Sequence, residues 1–165
     1  MDIEFEQVEN QAAKNRIRRY LERIEQLYTP IKQWLREENL VIVPSRVDTI
    51  ERQATYKVTQ LTLKTQKCET LAEIKPTSSM LIAGEGLIEI EGWFGKETLV
   101  YMIKDRLMIT KPSRNDRTKN VTVQMYEGID VNGWYWIEDS RRNRAHLLDK
   151  SIFLELITFV SDYEF

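Results

Sequence analysis

Few side chains in this chain of 165 residues have the types and spacing that chemistry requires. One histidine, His146, and one cysteine, Cys68, are the whole stock for a thiol–imidazole dyad. Neither is flanked by a nucleophile elbow or a Gly-rich loop, so the pair carries no specificity for nucleophilic catalysis. A structural zinc site needs about four Cys or His ligands, and only these two are present. Gly84-Glu85-Gly86 lies inside an alternating run and does not open a helix, so it is not a phosphate-cradling loop.

The acids offer two further arrangements. Glu73-Ile74-Lys75 puts a carboxylate and a lysine on one face of an extended segment, a spacing that metal-dependent nucleases use to hold a divalent ion and support the attacking water. Asp48 or Glu51 would have to supply the upstream acid, and a surface ion pair is the competing reading. Glu85, Glu89 and Glu91 share a phase and could ligate a cation, but the alternation more simply makes them the outward face of a strand. No metal or cofactor is therefore expected.

The bases are more suggestive. Lys111, Arg114, Arg117 and Lys119 crowd the segment 111–120, which has no apolar residue apart from Pro112, and Arg141, Arg142 and Arg144 follow the aromatic run Trp134-Tyr135-Trp136. Arginines beside aromatics suit phosphate, nucleic acid or an acidic protein surface. A third basic run, Lys14, Arg16, Arg18, Arg19 and Arg23, is interleaved with an apolar helical seam and reads as a solvated flank or a basic binding surface. The net charge of −2 exerts no global pull on nucleic acid or anionic membrane.

The elements that must position these residues begin with a helix. Ile17, Leu21, Ile24, Tyr28, Ile31 and Leu35 repeat every four or three residues, and Tyr20, Leu27 and Trp34 broaden that seam. Pro30 interrupts it without changing its phase, which predicts two nearly coaxial pieces ending near Asn39. The seam either packs on the domain's own sheet or recruits a partner through Tyr20, Leu27 and Trp34.

Strands follow. The spacing predicts Leu40–Val43 stopped by Pro44, Tyr56–Leu63 with a bulge or bend near Gln60, Cys68–Ile74 ended by Pro76, and a long strand Met80–Trp93. In that long strand Gly84 and Gly86 leave a gap on the buried side. Either the helical seam or the C-terminal helix must fill it; in the second case the seam is free for a partner. Glu97–Ile103 is apolar on both faces and predicts a covered strand. Leu107–Thr110 is a short strand, and Asn132-Gly133 predicts a two-residue hairpin pairing Val131 with Trp134. Asp149 is a helix cap for an apolar helix reaching about Tyr163.

The expected architecture is a single α+β domain over 1–165: a Pro30-kinked helical element (1–39), a strongly bent antiparallel meander or partial barrel of about six to eight strands (40–148), and a helix packed on it (149–165). In outline, strands closed by a C-terminal helix resemble a PH-like barrel, the alternative; the tryptophan those domains usually carry in the final helix is absent here, and the N-terminal helix is not part of that fold. One cysteine, no apolar leader and no run long enough to span a membrane lead to an expected cytoplasmic protein. The expected function is non-catalytic: binding through protein–protein contacts, as a homodimer or with another protein. Binding of nucleic acid or phosphate by 111–120 and 141–144 is the alternative, and a nuclease on Glu73 and Lys75 stands third.

Overall fold

The computed structural model describes residues 5–8, 11–52, 54–81, 84–106, 108–124, 126–139 and 144–165. Helix α1 spans Gln11–Glu37 and continues through Pro30 as one element. Just before the proline, the Thr29 hydroxyl donates back to the Glu25 carbonyl at 3.1 Å. Burial on both sides of the proline, from Ile24, Leu27 and Tyr28 to Ile31 and Leu35, holds the helix continuous despite the lost donor. The helix stops as its sequence says. Asn39 adopts a left-handed φ of 58°, its amide donates to the Arg36 carbonyl and that of Leu40 donates to the Leu35 carbonyl. These two bonds form a Schellman ending, closed by the buried Leu40.

Ten strands follow or flank α1: β1 (Phe5–Val8), β2 (Val41–Glu51), β3 (Ala54–Lys64), β4 (Thr70–Ser78), β5 (Leu87–Gly92), β6 (Lys96–Met102), β7 (Met108–Pro112), β8 (Asn120–Gln124), β9 (Gly133–Asp139) and β10 (Arg144–Leu147). Helix α2 (Lys150–Ser161) ends the domain, capped by Asp149, whose carboxylate accepts from the Ile152 amide at 2.8 Å. The main sheet is antiparallel, in the order β2-β3-β4-β5-β6-β9-β10, with β1 beside β4 on the same edge of β3. Its end strands β2 and β10 do not pair, so the sheet is open and the PH-like barrel is not formed.

Proline placement follows the edges. Pro44 lies within β2, an edge strand, and Pro76 continues β4 beyond its last pair with β3, Leu61↔Ile74. At such positions a missing N–H costs little, so neither proline stops its strand as the sequence suggested. The phase change in β3 is not a bulge against β2: their register is unbroken through Ser45↔Gln60. There the other edge of β3 passes from β1, which takes Ala54–Tyr56, to β4, which takes Leu61–Lys64.

Three further sequence expectations are corrected. The strand expected over Met80–Trp93 is regular only from Leu87; Leu81 and Gly84 close a tight turn by mutual backbone bonds, and Ile82 and Ala83 lie outside the described residues. No Asn132-Gly133 hairpin forms. β9 pairs instead with β6 (Leu99↔Trp136, Val100↔Tyr135) and β10, while Asn132 accepts from the Lys104 amide at 2.8 Å. Pairing with β6 sets Trp134 beside Tyr101 and Tyr135 beside Val100, one on each face of the sheet. The loop expected over 111–120 shrinks to the tip of a separate β7–β8 ribbon.

Both helices lie on one face of the sheet, where α1, α2, Ile74, Ile88, Ile90 and Leu99 form the main core. A smaller cluster, Val100, Met102, Ile129, Tyr135 and Ala145, covers the reverse face, so β6 is enclosed on both sides as expected. The glycine gap is filled by the N-terminal seam: a Cβ on Gly86 would lie 2.9 Å from the Tyr20 ring. The C-terminal helix meets the sheet elsewhere, with Val160 against Gly92. Tyr20 and Leu27 are thus taken up by the protein's own core, and half-buried Trp34 packs on Phe153 with ring centroids 5.8 Å apart.

Candidate functional site

Arg16, Arg19 and Arg23 are spaced three and four residues apart, which places them in one stripe beside the buried seam of α1. Opposite this stripe lie the end of β4, residues 79–81 and 84–85, and Arg106 from the β6–β7 connection. Between them lies a cleft of about 370 Å³ lined by the four arginines, Ser79 and Glu85. Four guanidiniums face one carboxylate there, although the chain as a whole carries a net charge of −2.

Arg23 is the fixed member. Its Nη1 donates to Glu85 Oε2 at 2.8 Å, its guanidinium carbon stands 4.1 Å from the centre of the Tyr101 ring, and its backbone carbonyl accepts from Trp134 Nε1 at 3.1 Å. Side chains of Arg23 and Glu85 are only 17% and 19% exposed, so water screens the pair weakly. Arg106, more exposed, takes the other oxygen of Glu85. Arg16 donates through Nε to Ser79 Oγ at 3.2 Å. Ser79 is buried and passes the polarity on: its hydroxyl and its amide each donate to one oxygen of Glu51 at 2.5 Å. Arg19 is exposed at the rim and makes no ion pair among those described.

Below this relay sit tyrosines. Burial, with Tyr56 and Glu51 adding to it, pushes the Tyr20 hydroxyl far above the ordinary tyrosine range. Tyr56 is driven the same way by burial and then by Glu51, and its hydroxyl has no hydrogen-bond partner among the described residues. Both hydroxyls are therefore neutral neighbours of the cleft, and its charge is set by the arginines. The charged side chains lining the cleft, among the described residues, are the four arginines and Glu85.

The other expected sites are dispersed. Lys111 lies in β7; Arg114, Arg117 and Lys119 stand exposed at the tip of the β7–β8 ribbon. Arg144 begins β10, exposed, while Arg141 and Arg142 lie outside the described residues. Lys75 bridges Glu73 at 2.9 Å and Glu91 at 3.1 Å, and these partners, Glu73 first, raise its pKa. A lysine gripped in this way is a structural cation. Asp48 pairs with Lys57 and Glu51 with Ser79, and among the described residues no group of three His, Cys, Asp or Glu side chains is placed to hold a metal. Cys68 is exposed in the β3–β4 turn, whereas His146 sits on β10 against Glu138 at 2.7 Å, separated by β4, β5, β6 and β9. Among the described residues no helix is long and apolar enough to cross a membrane.

Sequence reading found the stripe as a basic run but had no means of selecting Arg16, Arg19 and Arg23 from it, or of joining them to Arg106. The helical spacing was the available clue; the partners Ser79, Glu85 and Arg106 lie more than sixty residues away. In comparisons with known proteins, no family model, no curated protein and no solved structure matches this chain.

Proposed function

We propose that this is a non-catalytic binding protein whose arginine-lined cleft takes a phosphate-bearing ligand. The observation that carries this reading is the convergence of Arg16, Arg19, Arg23 and Arg106 on one cleft with a single opposing carboxylate. Guanidiniums present forked donors that match phosphate oxygens, and a half-enclosed cleft strengthens each contact. The volume falls in the range of small-molecule sites. Inorganic pyrophosphate, titrated calorimetrically, should bind with an affinity that falls as salt is raised. Replacing rim residues Arg19 and Arg106 by alanine should weaken it at least about tenfold, since two charge-assisted bonds are lost. Replacing Lys111 and Arg114 on the ribbon by alanine removes the same charge elsewhere and should leave affinity roughly unchanged. Equal losses in both pairs would assign binding to diffuse charge and overturn the cleft.

A second reading, protein–protein contact, is favoured by a different surface from the helical seam. Trp93 is 91% and Phe94 66% exposed at the β5–β6 turn. The Phe94 amide donates to the Val160 carbonyl at 2.8 Å, which sets the turn against the end of α2, where Phe159 and Phe165 are also exposed. Adjacent exposed aromatics of this kind are characteristic of association surfaces. If the surface joins two copies of the chain, light scattering should give a dimer for the native protein and a monomer for Trp93→Ser/Phe94→Ser, with the melting temperature little changed. A monomer at high micromolar concentration in both would reject self-association.

A further inference from the structure

Among the described residues Glu85 is the one carboxylate lining the cleft, and it sits where an anionic ligand would bind. We propose that it occupies the seat of the ligand's own phosphoryl group, as a built-in competitor that a dianionic phosphate must displace; this rests on the cleft reading above. Its two oxygens are divided between two arginines, Oε2 on Arg23 and Oε1 on Arg106. That division is the geometry in which a pair of guanidiniums grips two oxygens of a phosphate.

Exchange needs no unfolding. The backbone at the turn is pinned, because the Glu85 amide donates to the Tyr101 carbonyl at 2.8 Å and the Tyr101 amide to the Gly86 carbonyl at 2.9 Å. Only the side chain has to swing out. Its neighbours Gly84 and Gly86 bring no side chain to obstruct it, and the cleft beside it is open. The receiving side stays in place, since Arg23 keeps the Tyr101 ring and the Trp134 bond after Glu85 departs. A preorganised cation loses little on exchanging one anion for another.

Charge selects the ligand class. A monoanion replaces one negative charge by another and gains little, whereas a phosphomonoester or pyrophosphate brings two or more and reaches Arg19 and Arg16 along the same stripe. Acetate should therefore compete poorly and pyrophosphate well.

Removing the competitor should tighten binding. Calorimetric titration of Glu85→Gln and Glu85→Ala with pyrophosphate should give affinities roughly fivefold or more above the native protein, the size expected for releasing a partly screened ion pair. In the native protein, the carboxyl carbon resonance of Glu85 should shift when pyrophosphate saturates the site, a readout independent of whether either variant folds. Unchanged or weaker binding in the variants, or a Glu85 resonance that stays put while the native protein binds, overturns the proposal and leaves the cleft reading standing. Absence of pyrophosphate binding in the native protein and both variants overturns both.

Discussion

Stability measured by urea unfolding should fall at about 4 kcal/mol per pH unit once the pH passes about 10, because three tyrosines must stay protonated in the fold. Tyr20, Tyr28 and Tyr56 are all held far above the ordinary tyrosine pKa, in each case chiefly by burial. The Tyr20 hydroxyl donates to the Leu87 carbonyl at 2.7 Å and that of Tyr28 to the Thr59 carbonyl at 2.6 Å, so a phenolate at either place would face a carbonyl dipole. The sign follows directly. Above pH 10 the unfolded chain has released these protons and the folded chain keeps them, so each group subtracts about 1.4 kcal/mol per pH unit. Stability is fully present below the unfolded tyrosine pKa and is lost above it. Lys75, raised by Glu73 and Glu91, and Lys150, raised by Glu37, act in the same direction, but their exposure leaves them a minor part. A domain of ordinary stability, about 5–15 kcal/mol, then unfolds within a few units of pH 10. Absorbance of tyrosinate should rise in step with the loss of circular dichroism for these three of the seven tyrosines. Ionisation of all seven before any loss of structure would show that the hydroxyls of Tyr20, Tyr28 and Tyr56 are not enclosed.

Gly92→Ala should cost about 2–4 kcal/mol, the scale of overpacking against atoms that cannot move aside. A Cβ at Gly92 would collide with the Val160 carbonyl and approach the Leu71 carbonyl at 2.9 Å, backbone on both sides. The Val160 carbonyl belongs to the last turn of α2, where no helical amide can reach it, and the Phe94 amide supplies its bond. Relief of the clash therefore means lifting α2, which breaks that bond and loosens Phe153, Leu156, Ile157 and Val160 together. Gly95, three residues on, is the control: a Cβ there meets nothing within 4 Å, and Gly95→Ala should stay within about 0.5 kcal/mol of the native protein. Urea midpoints at constant slope give both values. Equal midpoints for the two variants would mean that α2 does not rest on Gly92.

What could be read without the fold was local. The seam Ile17–Leu35, its stop at Asn39 and the Asp149 cap depend on residues within one or two turns, and each appears where the spacing puts it. The α+β class follows from the change of period after the first helix. Alternation failed where it was not backed by a partner. Met80–Trp93 alternates throughout, yet only Leu87–Gly92 is a regular strand, because Gly84 and Gly86 admit other chain elements closely. Asn132-Gly133 has the residues of a tight hairpin, but β6 offered Trp134 and Tyr135 a better-matched neighbour. The apolar seam could have faced inward or outward with the same pattern, and the sheet's need for a filler over Gly86 drew Tyr20 inward.

The sequence by itself determined where the helices lie, which faces are apolar, and that a basic run accompanies the first helical seam. Only the tertiary structure decided that Arg16, Arg19 and Arg23 of that run meet Ser79, Glu85 and Arg106, and that Glu73 and Lys75 end in an ion pair with Glu91. Periodicity records which side of an element avoids water, a property of neighbours along the chain. The pairing of charges across more than sixty residues depends on strand register and on the helix seated over it, and these are chosen by the packing of the whole core.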